Sequence, residues 1–176
     1  TFSLQKAIKL KPDFPEAHNN LGAVLKEKED LNTAISSLQK AIKLKPDYAE
    51  AHNNLGTILK EQGDLNAAIS SFQQAIKLKP DYAEAHVNLG LSFLLNGNYQ
   101  QGWLGYEYRF KVSDNPATPH VRPTIPQWQG ENLNSIKKLL VVSEQGLGDT
   151  LQFMRYIPHL RELEIDFSFC AQTKLH

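Results

Sequence analysis

The chain has 176 residues, with 19 Lys and Arg, 19 Asp and Glu, a single Cys and 41% hydrophobic residues. Zero formal net charge argues against a nucleic-acid-binding protein, which normally carries a basic surplus. The single Cys excludes an intramolecular disulfide framework, and no apolar run approaches the roughly 20 residues that span a bilayer. We therefore expect a protein of a reducing, cytoplasmic compartment whose partners are neither nucleic acids nor membranes.

A repeat of 34 residues dominates the first part of the chain: residues 15–48 and 49–82 differ at only eight positions. A third copy begins at Ala83, and Ser3 to Phe14 match the second half of a copy. The chain is therefore expected to begin in mid-repeat. We assign a partial copy to residues 1–14 and further copies to 15–48, 49–82 and 83–111.

Each copy predicts two short amphipathic helices. In the copy at 49–82, apolar residues recur at helical spacing on either side of Gly63-Asp64, until Pro80-Asp81 ends the pattern. Gly63 and Gly97 suit the turn within a pair, because glycine tolerates positive φ. Glu29 stands at the equivalent position of the first full copy, so that turn is expected to be strained or differently shaped.

The period, the helix pairs and the small residues at the expected crossing points resemble the tetratricopeptide repeat (TPR). The residues that carry the resemblance are Leu55, Gly56, Ala68, Phe72, Ala75 and Pro80, with Leu21, Gly22, Ala34, Leu38, Ala41 and Pro46 one copy earlier. The resemblance implies a mainly α fold, a right-handed superhelical solenoid over residues 1–111, whose concave groove is lined by the first helix of each pair.

Asparagines recur immediately before the Leu-Gly pair of each copy, and they are candidate peptide-binding residues. They are Asn20, Asn54 and Asn88, with Asn19 and Asn53 one position earlier and Val87 interrupting that second series. An amide offers both a donor and an acceptor, which complement a peptide backbone. Alternatively, the amides bond to neighbouring repeats or are merely solvated. The copies resemble those of the O-linked N-acetylglucosamine transferase family, in which groove asparagines hold substrate polypeptide, so the resemblance implies a polypeptide partner for this asparagine ladder.

Three histidines, His18, His52 and His86, share the same period. One per repeat is too far apart for three nitrogens to meet a metal at about 2 Å each. We expect imidazoles that are packed or hydrogen-bonded at the repeat junctions, and neither a metal site nor any other cofactor.

The third copy turns apolar. Leu94-Leu95 replace Lys60-Glu61, and its second helix carries the aromatic residues Tyr99, Trp103, Tyr106, Tyr108 and Phe110. An apolar last repeat indicates that another surface packs on it, either the rest of the chain or a second molecule. An aromatic ligand site is the alternative. A homo-oligomer formed through the cut repeat edge or through exposed strands is a further possible assembly.

Four prolines between 116 and 126 predict an extended linker, which we assign to residues 112–132. The remaining residues, 133–176, predict a partial β-α-β (Rossmann-like) unit. Its elements are a buried strand over Lys137 to Ser143, a helix over Thr150 to Leu163 and a strand over Ile165 to Cys170.

The segment Glu144 to Thr150, with Gln152 to Tyr156, is similar to the opening of the GT-B glycosyltransferase-like domain that follows TPR repeats in many bacterial proteins, and to the first loop of the heptosyltransferase superfamily. The resemblance implies that Asp149 is a catalytic base. Gly146 and Gly148 could admit an anion or nucleotide sugar at the helix N-terminus, or form a simple turn that Asp149 caps. Glu144-Gln145 departs from the heptosyltransferase loop.

Two functions follow as hypotheses. The first is a protein-interaction module that binds a polypeptide in the concave groove, without catalysis. The second is the substrate-recognition arm and first catalytic-lobe fragment of a GT-B glycosyltransferase. A GT-B enzyme needs two Rossmann-like lobes, so we expect a fragment of a longer parent, cut at both ends.

Overall fold

The computed structural model describes residues 2–112, 138–142 and 154–170. The chain divides into two compact units, Thr1–Ser113 and Asp114–His176. The sequence-predicted residues Gly146, Gly148 and Asp149 lie outside the described residues, as do the prolines of the predicted linker.

The described part of the first unit consists of helices. These are α1 (Phe2–Leu10), α2 (Pro15–Glu27), α3 (Leu31–Leu44), α4 (Ala49–Glu61), α5 (Leu65–Leu78), α6 (Ala83–Leu95), α7 (Tyr99–Tyr106) and a 3-10 helix (Glu107–Lys111). Three pairs pack most extensively: α2 with α3, α4 with α5, and α6 with α7. The first member of each pair is called the inner helix below and the second the outer helix. This is the mainly helical, paired architecture that the repeat predicts.

The turn inside each pair is set by a residue with positive φ and by the cap that follows it. The φ angles are 61° at Glu29, 86° at Gly63 and 78° at Gly97. Glu29 therefore adopts the same left-handed conformation as the glycines, so of the two expectations for this turn the strained one holds. In the first two pairs the next residues, Asp30 and Asp64, cap the outer helices. Their side chains accept hydrogen bonds from backbone N–H groups at 3.3 and 3.1 Å, respectively.

The two helices of a pair cross at a glycine that leaves no room for a side chain. A Cβ placed on Gly22 would lie 2.6 Å from Leu38, and one on Gly56 would lie 2.7 Å from Phe72. Leu38 and Phe72 are themselves fully buried. In the third pair, Gly90 faces helix backbone, with the Tyr106 nitrogen 2.6 Å from the same imaginary Cβ. The crossing thus relies on glycine in every pair.

Successive pairs approach each other more closely through their inner helices than through their outer ones. Inner helix α2 contacts α4 and α4 contacts α6, whereas outer helices of successive pairs contact each other less. A cavity of about 460 Å³ opens where α3 and α5 diverge over His52 and Leu55 of α4. The array therefore curves, with the inner helices on its concave side.

The third pair exposes the apolar surface that its sequence predicts. The side chains of Leu95, Tyr99, Trp103 and Leu104 are 57–66% exposed. Behind them, Tyr108 of the 3-10 helix stacks on His86, with ring centroids 3.8 Å apart.

The described part of the second unit contains β1 (Leu139–Val142), α8 (Ile157–Glu162) and β2 (Phe167–Cys170). The strands pair in parallel, from Leu139 opposite Phe167 to Val142 opposite Cys170. The order β-α-β agrees with the prediction. Strand β2 begins at Phe167, two residues later than predicted, and the predicted ends of the first strand, 137 and 143, lie outside the described residues.

Replacing Glu29 with glycine should stabilise the first unit. Holding a residue with a Cβ in the left-handed region costs about 1–2 kcal/mol. Glycine avoids this cost but loses more backbone entropy on folding, so the net stabilisation should be about 1 kcal/mol. The measurement is the midpoint of urea unfolding. The reciprocal variant is Gly63→Glu, where a Cβ would meet nothing within 4 Å; it should lose a similar amount through φ alone. An unchanged or lowered midpoint for Glu29→Gly would contradict strain at this turn.

Candidate peptide-binding face

The paired asparagines occupy two different sides of each inner helix. Gly56 faces the outer helix α5, and residues in a helix are separated by about 100°. Asn54 is therefore turned about 200° from that glycine, away from the outer helix, whereas Asn53 lies only about 60° from it. Accordingly, Asn53 is 7% exposed and Asn54 is half-buried.

The side-chain amides bond across successive repeats. Asn54 Nδ2 donates to Asn19 Oδ1 at 3.0 Å, and Asn88 Nδ2 donates to Asn53 Oδ1 at 3.1 Å. Asn19 in turn donates to Asn20 Oδ1 at 3.4 Å. The buried asparagine of one repeat thus accepts from the half-buried asparagine of the next, as the alternative to peptide binding expects. The bond satisfies a buried polar group and joins two inner helices.

Val87 interrupts this series of buried acceptors. Asn19 accepts a hydrogen bond from Asn54, and Asn53 accepts one from Asn88, in each case from 35 residues further on. An asparagine at position 87 would be the next acceptor of this series. The residue 35 positions further on is Arg122, so no amide donor follows at this spacing. A valine at position 87 offers no acceptor for such a bond.

Two lysines at equivalent positions of the inner helices have different partners. Lys26 Nζ lies 2.8 Å from Glu61 Oε1 of the next inner helix. Lys60 Nζ instead donates to Asn88 Oδ1 at 3.4 Å. Burial lowers the pKa of Lys60; Glu61 opposes this change and Lys26 adds to it.

At the start of the inner helices, tyrosine, lysine and glutamate recur together. Lys45 lies 3.8 Å from Glu16 and Lys79 lies 3.8 Å from Glu50, each pair lying within one copy of the repeat. Burial raises the pKa of Tyr82 to about 12; Glu50 and Glu84 add to the rise, and a hydrogen bond with Asn53 opposes it. Tyr82 therefore stays uncharged at neutral pH beside the buried amide.

The periodic histidines are hydrogen-bonded at the repeat junctions, as the sequence predicts. The Nε2 atoms of His18, His52 and His86 lie 2.9, 3.1 and 2.9 Å from the carbonyl oxygens of Pro12, Pro46 and Pro80. Among the described residues, no group of three or more His, Cys, Asp or Glu side chains could hold a metal ion. Within the same residues, no helix has the length and apolar character to cross a membrane.

Comparison with known proteins identifies the first unit. A family model described as a TPR repeat matches residues 3–28, 24–63 and 56–97, which together make up more than half of the chain. The chain belongs to the TPR repeat family. TPR arrays are protein-interaction modules, and the first unit is one. None of the curated proteins compared with the chain matches it.

Solved structures of MamA share the TPR fold. One crystal structure of MamA is 28% identical, with a TM-score of 0.57 over 62% of this chain and 64% of that one. Another is 26% identical, with a TM-score of 0.57 over 70% and 67% of the two chains. MamA from Desulfovibrio magneticus RS-1 is 23% identical, with a TM-score of 0.56 over 61% of each chain, which shows the fold alone. The match thus spans less than two thirds of the first of these MamA chains.

The bond between Asn53 and Asn88 should contribute measurable coupling between the second and third repeats. Asn53→Ala leaves the Asn88 donor without its buried acceptor, and a double-mutant cycle with Asn88→Ala should give a coupling free energy of about 1 kcal/mol. Urea unfolding of the four proteins measures it. A cycle between Asn53 and the outer-helix residue Asn66, which is exposed, is the control and should give no coupling. Additive effects of Asn53→Ala and Asn88→Ala would disprove the energetic role of the bond.

Proposed function

We propose that the TPR unit binds an extended polypeptide along its concave face through the ladder amides Asn20, Asn54 and Asn88. This is the role that the resemblance to the O-linked N-acetylglucosamine transferase repeats implies. Asn19 and Asn53 are buried, so we assign them the supporting role of holding the ladder rather than of touching the peptide.

The amides keep hydrogen-bonding capacity after their bonds within the array. Asn54 uses one of its two N–H donors on Asn19 and keeps its carbonyl oxygen. Asn20 is exposed and accepts from Asn19, which leaves both of its N–H donors. A peptide backbone carries one donor and one acceptor per residue, so donors and acceptors are present on both sides of the proposed interface.

Spacing also suits an extended chain. Packed helices lie about 8–10 Å apart, and an extended peptide advances about 3.3 Å per residue. Successive ladder amides would therefore meet about every third residue of the peptide. Such contacts recognise backbone, so binding should tolerate many sequences.

The observation that carries the proposal is the bonding of Asn54 to Asn19 and of Asn88 to Asn53 across repeats. Each bond fixes the orientation of a ladder amide before any peptide arrives. A side chain that is already ordered loses less conformational entropy when it binds, which favours affinity.

An array of capped synthetic peptides of random sequence, probed with the fluorescently labelled protein, tests the proposal. Binding to many unrelated peptides is expected. Asn54→Ala combined with Asn88→Ala should weaken binding by about tenfold, which corresponds to roughly 1.4 kcal/mol of lost hydrogen bonding.

The matched control is Asn32→Ala combined with Asn66→Ala, which removes two exposed amides from outer helices. It should leave binding unchanged. Because the ladder variant also loses bonds between repeats, Asn20→Ala serves as a second test: Asn20 is exposed and should affect binding with little effect on thermal stability. Equal binding by all three variants and the unaltered protein would refute the ladder.

A second candidate function concerns the other unit. The parallel pairing of β1 and β2, with α8 between them in sequence, favours the start of a Rossmann-like lobe. The chain would then be the recognition arm and first-lobe fragment of a GT-B glycosyltransferase, with Asp149 as its base and Gly146 and Gly148 near the donor.

Incubation of the chain with a panel of nucleotide sugars and a peptide that binds the groove tests this candidate, with mass spectrometry as the readout. Transfer of a sugar that disappears in Asp149→Asn would support catalysis by this chain. Absence of transfer with an intact peptide-binding groove would leave only the interaction module.

A further inference from the structure

The cavity between the outer helices α3 and α5 opens away from the ladder amides. It has a volume of about 460 Å³, and His52 and Leu55 of α4 line it. Residues in a helix are separated by about 100°, so His52 lies about 160° around α4 from the ladder residue Asn54. A ligand in this cavity would therefore be separate from a peptide in the groove. The volume lies within the range of about 300–1,000 Å³ that is usual for ligand pockets.

The imidazole of His52 is held in its repeat by the same bond as that of His86. His52 Nε2 lies 3.1 Å from the carbonyl oxygen of Pro46, and His86 Nε2 lies 2.9 Å from that of Pro80. Both bonds reach back six residues, so equivalent atoms orient the two rings. A group that packs on one imidazole therefore indicates what the other can accept.

In the third repeat, an aromatic ring of the chain itself lies on this imidazole. The rings of Tyr108 and His86 are stacked, with centroids 3.8 Å apart and planes inclined by 10°. A cation also contacts the tyrosine, since Lys111 Nζ lies 4.2 Å from the centroid of its ring. The third repeat thus provides an example of an aromatic ring bound face to face by the periodic histidine.

The second repeat has the imidazole but lacks the tyrosine. The residue one period before Tyr108 is Gln74, which lines the cavity together with His52. Lys43 brings a cation to the same cavity, and among the described residues no carboxylate forms an ion pair with it. With apolar Leu55 beside them, these groups favour an aromatic ring, whose face attracts a cation.

We propose that the cavity over His52 binds a tyrosine or phenylalanine side chain of a partner polypeptide, whose ring stacks on the imidazole as Tyr108 stacks on His86. Gln39 and Ser70 are exposed where they line the cavity, and they can bond to the backbone on either side of that ring. This site lies between outer helices and does not depend on the ladder, so the array offers a second, separate contact to a protein partner.

N-acetyl-tyrosine amide and N-acetyl-leucine amide form the probe pair. Each carries one side chain between two peptide groups, and each is too short to reach two ladder amides. Titrations are followed by NMR at the Leu55 methyl groups and the His52 ring protons. The tyrosine probe should bind roughly three- to tenfold more tightly than the leucine probe, as expected for one stacked aromatic pair, and its ring current should shift both sets of signals.

Three variants locate the preference. His52→Gln keeps an N–H that can donate to the Pro46 carbonyl but removes the ring, so the ratio of affinities should fall to about one. Gln74→Tyr places a ring where Tyr108 stands in the third repeat, so it should occupy the cavity and abolish binding of the tyrosine probe. Asn66→Tyr adds the same side chain at an exposed position of α5 that does not line the cavity, and it should leave the ratio unchanged.

Each outcome decides for or against the aromatic site, whatever happens in the groove. Equal affinities for the two probes, no binding of either, or a preference for tyrosine that survives in His52→Gln or Gln74→Tyr would overturn it. Signals that shift at the Asn54 and Asn88 side-chain amides instead of at His52 and Leu55 would place the probe in the groove and likewise refute the site. A preference lost in His52→Gln and Gln74→Tyr but retained in Asn66→Tyr establishes it.

Discussion

The close crossing of two helices at one glycine is the constraint on which the array depends. At Gly22, Gly56 and Gly90, an additional methyl group would come within 2.6–2.7 Å of the facing helix. Because glycine has no side chain, the two helices pack in direct contact at the crossing point. Neither helix can slide along the other without a steric clash, so their distance and angle are fixed. Repetition of this crossing every 34 residues lets one set of contacts recur from repeat to repeat.

The recurrence extends to polar contacts because each pair presents the same atoms to the next. Asn54 meets Asn19, and Asn88 meets Asn53, each 35 residues apart. Within each copy, Lys45 and Lys79 lie 3.8 Å from the glutamate near the start of the inner helix. The third copy departs from this pattern at Val87 and Leu95, where an amide and a carboxylate are replaced by apolar side chains. At these two positions the third copy therefore lacks the polar groups that the earlier copies use in contacts between repeats.

Much of the fold could be predicted from the sequence. The period identified the helix pairs, and the positive φ at Gly63 and Gly97 followed from glycine chemistry. The hydrogen-bonded imidazoles of His18, His52 and His86 at the repeat junctions were also predicted. The buried state of Asn53 was missed, although a signal was available: its angle from Gly56 around the helix places it toward the outer helix.

Other features needed coordinates because they depend on contacts between distant residues. The bond of Lys60 to Asn88 joins positions 28 residues apart on different helices, and no local pattern specifies it. The stacking of Tyr108 on His86 of α6 likewise depends on how the chain turns after α7. The roles of Asp149, Gly146 and Gly148 stay predictions.

The pairing of a buried acceptor with the donor of the following repeat gives the array a direction. A successor finds this acceptor only if the preceding copy carries an asparagine there, and the third copy has Val87. Lengthening the array by grafting further copies after α7 would place a new asparagine against a hydrocarbon side chain. An engineer who wishes to extend this scaffold would therefore first have to restore an amide at position 87, whereas insertion of copies between the first two repeats would need no such change.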